Sequence, residues 1–163
     1  MNKIYRKILL IVIVAGLLAG SSAYAEPAGS LNIKASDKCP VCGMFVAKYP
    51  DFLAYMIFKD GTYAAFDGVK DMMKCYLDMS RYLPGKKKTD IRTMAVTDYY
   101  TMRMIDAFTA YYVIGSDVLG PMGHELIPHE SQSKAKEFME DHLGKKLLKL
   151  PQITPALLKE LDA

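Results

Sequence analysis

The chain predicts an α+β domain in which helices pack on small antiparallel sheets. Three observations carry that expectation. Phe52 to Phe58 and Thr62 to Phe66 are two β-type runs set around Asp60-Gly61, a strong short-range hairpin signal. Val69, Met72, Met73, Tyr76 and Leu77 then recur at i, i+3, i+4, i+7 and i+8, which gives a helix one apolar face. The second half repeats the pattern: a strand at Ala110 to Ile114, another at Glu125 to Ile127, and a helix whose stripe is Ala135, Phe138, Met139, His142 and Leu143.

Taken in order, the first 25 residues have the layout of a secretory signal. Lys3, Arg6 and Lys7 precede an apolar run from Ile8 to Gly20, and Ala23-Tyr24-Ala25 is a small-x-small cleavage site. The run is about 13 residues, short of the roughly 20 that a spanning helix needs. Cleavage after Ala25 leaves 138 residues, enough for one compact domain. The net charge of +3 resides in those three basic residues, and the remainder balances 18 Lys+Arg against 18 Asp+Glu. No basic field is left to attract nucleic acid.

Glu26 to Lys38 is small and polar and reads as a flexible leader. Cys39-Pro40-Val41-Cys42-Gly43-Met44 follows as a turn, punctuated by Pro40 and Gly43. Beyond the hairpin, Asp67 is placed to cap the first helix. Ser80 to Asp90, with Pro84, Gly85 and three lysines, reads as an exposed connector, and Met94 to Tyr100 as a strand. Thr101 to Phe108 fits no pattern. In the second half Gly144 is placed to end the helix, Lys146 to Leu150 is a short strand, and a Pro-flanked tail closes the chain. The first strands are offset by 56 residues and the helical stripes by 66, so the second unit is longer by ten. Most of the excess is Ser116 to His124, a loop holding Met122 and His124 among glycines. Long loops on a rigid scaffold tend to carry function.

The chemistry concentrates in sulfur. Cys39, Cys42 and Met44 place two thiols and a thioether within six residues, soft donors of the kind that select Cu(I). The C-x-x-C pair alone admits a disulfide, a redox exchange motif or half of a zinc site. An exchange motif usually opens a helix, whereas Gly43 to Val46 looks like turn and strand, and no second ligand pair stands at zinc spacing. Cys75, the third cysteine, leaves an odd thiol in the exported part. Met122, in Gly120-Pro121-Met122-Gly123, sits on a loop where an apolar side chain needs a partner, and His124 could add an imidazole. Met72, Cys75 and Met79 share a helix face and read as core, and His129 and His142 read as structural. There is no G-x-S-x-G, phosphate loop or H-E-x-x-H, so an enzyme is not expected.

The two sulfur motifs, together with Val96-Thr97-Asp98-Tyr99, Ile105-Asp106-Ala107, Val113 to Gly123 and Glu125-Leu126-Ile127-Pro128, resemble the NosL family of copper-binding accessory factors linked to assembly of nitrous oxide reductase. The resemblance implies two ββαβ-like repeats, about 39–100 and 101–155, in one domain over 39–155, with one Cu(I) site built from both. Its Cys-x-Met falls on Cys42 and Met44, and its second-motif methionine on Met122. Cys39 matches a cysteine that only some members carry, and His124 is a further candidate ligand. The implied function is a periplasmic Cu(I) metallochaperone, with a copper-acceptor protein such as nitrous oxide reductase, and a membrane assembly complex, as partners. The alternative is a thiol–disulfide redox protein using Cys39 and Cys42. Many members carry a lipid-anchoring cysteine after the signal; here Glu26 follows Ala25, so no lipid anchor is expected.

Overall fold

A computed structural model describes residues 31–162. The expected signal, its cleavage site and the leader up to residue 30 lie outside the described residues. The expected fold class is what the chain adopts: short helices on small antiparallel sheets. β1 (Ala54–Phe58) and β2 (Tyr63–Phe66) form the hairpin around Asp60-Gly61. Gly61 takes φ +84°, and Asp60 accepts hydrogen bonds from the Thr62 backbone and hydroxyl, which fixes the turn. After α1 (Val69–Leu77) and the single turn α2 (Met79–Tyr82), β3 (Ile91–Thr97) returns along the other edge of β1. β4 (Met104–Asp106) adds to β3, giving the order β2-β1-β3-β4. All five residues of β1 are buried, which is why it reads as a continuous apolar run instead of an alternating one.

The second sheet has the order β8-β5-β9, built from β5 (Tyr111–Ile114), β8 (Ile127–His129) and β9 (Lys146–Leu148), with α3 (Gln132–Asp141) between the last two. In each sheet the first strand lies between its hairpin partner and the strand after the helix. β6 (Leu119–Gly120) and β7 (Gly123–His124) form a separate two-stranded ribbon inside the long loop. Asp98 joins the two sheets: it accepts from the backbone and hydroxyl of Thr101 and from the Glu130 backbone at 2.7 Å. That turn stops β3 at Thr97, short of the expected Tyr100. The segment that fitted no pattern supplies β4.

Several local expectations are corrected. Asp67 does not cap α1; Gly68 is the N-cap residue and has no side chain to offer. The first-turn N–H of Lys70 is instead met from 55 residues away by Glu125 Oε1, at 2.6 Å. On α3 the helix stops at Asp141, and Leu143, expected in the stripe, is 72% exposed with φ +56°. Leu143 therefore takes the left-handed position expected of Gly144. Gly144 is needed for closeness: a Cβ there would come within 2.6 Å of Val113 Cγ1. The connector at Ser80 to Asp90 contains part of α2 and a 3₁₀ turn, and the tail forms α4 (Pro155–Glu160), which packs on α1 through buried Leu158 and Leu161.

Two predictions follow from this packing. A Cβ on residue 68 would lie 2.3 Å from Glu125 Oε2, so Gly68→Ala should cost about 1–3 kcal/mol of overpacking in urea unfolding; an unchanged midpoint would show that Glu125 yields freely. His129 is fully buried among Tyr99, Tyr100 and Phe138, neither ring nitrogen has a hydrogen-bond partner among the described residues, and burial lowers its pKa to about 4. Below pH 6.5 the unfolded chain takes up a proton that the folded one refuses, so this residue's contribution to stability falls as pH drops. Between pH 7 and 5 the loss is about 2 kcal/mol, and it should be missing from the pH profile of His129→Leu.

Candidate metal centre

The cysteine loop is closed by its own backbone. Lys38 pairs with Phe45 in an antiparallel bridge, and the Cys39 N–H donates to the Met44 carbonyl and the Gly43 N–H to the Cys39 carbonyl, both at 2.9 Å. Gly43 turns the chain with φ +80°. Cys39 and Met44 thus face each other across the neck of a small loop, with Pro40 to Gly43 at its tip.

That loop sits on the entry to α1. The Cys42 thiol donates to Asp67 Oδ1 at 3.2 Å, and the Cys39 thiol to Asp71 Oδ2 at 3.4 Å. One ligand atom from each of Cys39, Cys42, Asp67 and Asp71 lies within 4.8 Å of the other three. Cys39 is buried and Cys42 half-buried, and all three cysteines are free thiols. Burial is the larger reason that Cys42 titrates high, at about 11, and the Asp67 carboxylate pushes the same way. Burial drives Cys39 higher still. Both sulfurs are therefore protonated at rest, each with a carboxylate as acceptor. The thiols suit a soft or borderline cation, and thioethers from nearby methionines would tilt the set towards the soft one.

The second half reaches the same helix turn. Met122 lies between β6 and β7 and is 46% exposed, and its carbonyl accepts from Lys70 Nζ at 2.8 Å. Three residues on, buried Glu125 bonds the Lys70 N–H, and its other oxygen lies against Gly68 and Gly120. Burial pushes the Glu125 carboxyl up to about 7. His124 is exposed on β7, opposite Leu119. Of the residues singled out from sequence, Cys39 and Cys42 are brought together, Met44 is half-buried on their loop, and the Met122 ribbon is tied to Lys70, which stands between Asp67 and Asp71 in the chain. Cys75, Met72 and Met79 are buried core, as read, and His142 is held between Tyr99 and Asp117.

The sequence offers Asp67 as a cap and Glu125 as a strand residue, not as members of this cluster, and marks neither Asp71 nor Lys70. One signal is present: two carboxylates, Asp67 and Asp71, stand within five residues of each other at the entry to the helix.

The difference in exposure and thiol acidity makes a prediction. Iodoacetamide at pH 8 should modify Cys42 first, with Cys39 and Cys75 reacting only in denaturant. Peptide mapping by mass spectrometry reads the order, and equal labelling of Cys39 and Cys42 would contradict it.

Residues 30–158 match the NosL family model. The chain is 31% identical over 157 residues to the copper-binding lipoprotein NosL of Stutzerimonas stutzeri, covering 93% of this chain and 82% of that one. Its fold is similar to the crystal structure of the copper chaperone NosL from Shewanella denitrificans, with a TM-score of 0.66 at 24% identity, over 80% of this chain and 99% of the other. With a match over most of the described residues and nearly a third of positions shared with the curated relative, this chain belongs to the NosL family.

Proposed function

We propose that this protein is a periplasmic Cu(I) carrier that delivers copper to a cuproenzyme, in maturation of nitrous oxide reductase, and that it performs no catalysis of its own. Copper is its cargo. Cys42 supplies the anionic sulfur, Met44 and Met122 the thioethers, and Cys39 and His124 stand by as additional ligands. The observation that carries this reading is the meeting, at the first turn of α1, of two free thiols from one half and the Met122 ribbon from the other.

The physical logic is one of moderate hold. Thiolate and thioether ligands match the softness of Cu(I) and discriminate against harder cations. Binding displaces the Cys42 proton, for which Asp67 Oδ1, 3.2 Å away, is the first acceptor. Met122 is nearly half exposed, so an incoming ligand from an acceptor can replace it first and draw the ion outward. An acceptor protein, with a membrane assembly complex beside it, is the partner such a site implies. Export is supported by the basic, apolar and small-residue order of residues 1–25 and by the lipoprotein name of the relative.

The rival, thiol–disulfide exchange, finds less support. Exchange needs an accessible thiolate near ambient pH, and here burial first, and a neighbouring carboxylate second, hold both thiols protonated.

Cu(I) titration against a competing chelator tests the proposal. Cys42→Ser, Met44→Leu and Met122→Leu should each weaken binding by upwards of roughly tenfold, the scale on which even outer partners of a metal ligand act. Prior oxidation to a Cys39–Cys42 disulfide should abolish binding, and reductant should restore it. Unchanged affinity in both methionine variants would end the thioether reading, and tight binding by the oxidised protein would end the thiolate one.

A further inference from the structure

Lys70 is an unusual residue to find in the core. Its side chain is 1% exposed, and its ammonium meets three acceptors: the Met122 carbonyl at 2.8 Å, the Leu161 carbonyl at 3.2 Å and Asp162 Oδ1 at 3.0 Å. An ammonium has three protons to donate and no lone pair, so its bonding is complete and its direction set. Such a group is a poor device for stability alone. Desolvating it costs several kcal/mol, and an apolar residue of similar volume is often as stabilising or more so.

What an apolar residue could not supply is the bond to the Met122 carbonyl. The β6–β7 ribbon has only two residue pairs, Leu119 with His124 and Gly120 with Gly123. A ribbon of that length does not hold its own position in water. It is fastened at two points, and both belong to Lys70: the ammonium holds the tip at Met122, and the backbone N–H holds the base through Glu125 Oε1. The Glu125 carboxylate is confined at the same time, with Oε2 facing Gly68 on one side and Gly120 on the other. Lys74 extends the network, bridging Asp71 of the thiol cluster to Asp162 of the tail.

We infer that Lys70 is a positioning residue for Met122, setting the ribbon tip so that the thioether of the second half meets the thiols of the first. This inference rests on Met122 being a copper ligand. The tail joins the same assembly, because Leu161 and Asp162 complete the ammonium's bonding and so keep it aimed.

The test uses protein labelled with ¹³C at the methionine methyl groups, titrated with Cu(I) under reductant. In the unsubstituted protein the Met44 and Met122 methyl resonances should shift on loading. In Lys70→Met the Met122 response should be lost while the Met44 response persists, the buried core methionines reporting that the fold is intact. Cu(I) affinity should fall about tenfold, the lower end of what outer partners of metal ligands contribute, yet change less than about twofold when Lys70→Met is added to Met122→Leu, as coupled positions require. Lys70→Gln, a polar side chain too short to reach the carbonyl, should behave the same way, so a collapse of the first variant leaves the test standing. A persisting Met122 response, or an equal loss of affinity in the Met122→Leu background, would overturn the assignment of Lys70 alone. A Met122 resonance that ignores copper in the unsubstituted protein would overturn both this inference and the ligand reading beneath it.

Discussion

The first turn of α1 is where this molecule is decided. Within five consecutive residues, Asp67 and Asp71 face the thiols of the cysteine loop, Gly68 leaves room for Glu125, and Lys70 holds the ribbon that carries Met122. A helix N-terminus with no capping side chain of its own exposes unpaired N–H groups. Here a carboxylate from the second half satisfies one of them. The first turn of the helix is therefore completed only when Glu125 docks against it. The proposed copper site draws on both sides of that seam, on Cys42 and Met44 from the cysteine loop and on Met122 from the ribbon.

The electrostatics of this turn bear on handling of the ion. Burial first, and the carboxylates beside the thiols second, raise the cost of deprotonating them, so both sulfurs rest as neutral thiols. Lys70 and Lys74 pair with Asp71 and Asp162 around the seam, and a monovalent cation bound by one thiolate would add no net charge there. The donors stay fixed while the side chain at the ribbon tip stays accessible. That combination suits the proposed hand-over of copper to an acceptor.

Much of this was legible in the chain because it is local. Asp60-Gly61 announced its hairpin, the Val69 to Leu77 stripe its helix, and the Cys-x-x-Cys-Gly-Met and Gly-Pro-Met-Gly segments their sulfur. What was hidden depends on distance along the chain. The cap on α1 comes from Glu125, 55 residues away, and no periodicity records it. Asp67 looked like a cap because Asp favours that position, but Gly68 holds it and Asp67 is drawn to Cys42. Lys70 and Asp71 fall outside the apolar stripe of the helix, yet both are buried: the ribbon and the tail close over Lys70, and the Cys39 thiol and Lys74 over Asp71. Leu143 and Gly144 exchanged expected roles for a similar reason, since Val113 leaves no room for a Cβ at Gly144.

The central claim is that one copper site draws sulfur from both halves of the chain. Extended X-ray absorption fine structure at the copper edge, on Cu(I)-loaded protein and on the loaded Met122→Leu variant, addresses it most directly. The account predicts a sulfur shell around copper in the unsubstituted protein that loses one scatterer in the variant. An identical shell in both, or one dominated by oxygen and nitrogen, would contradict it.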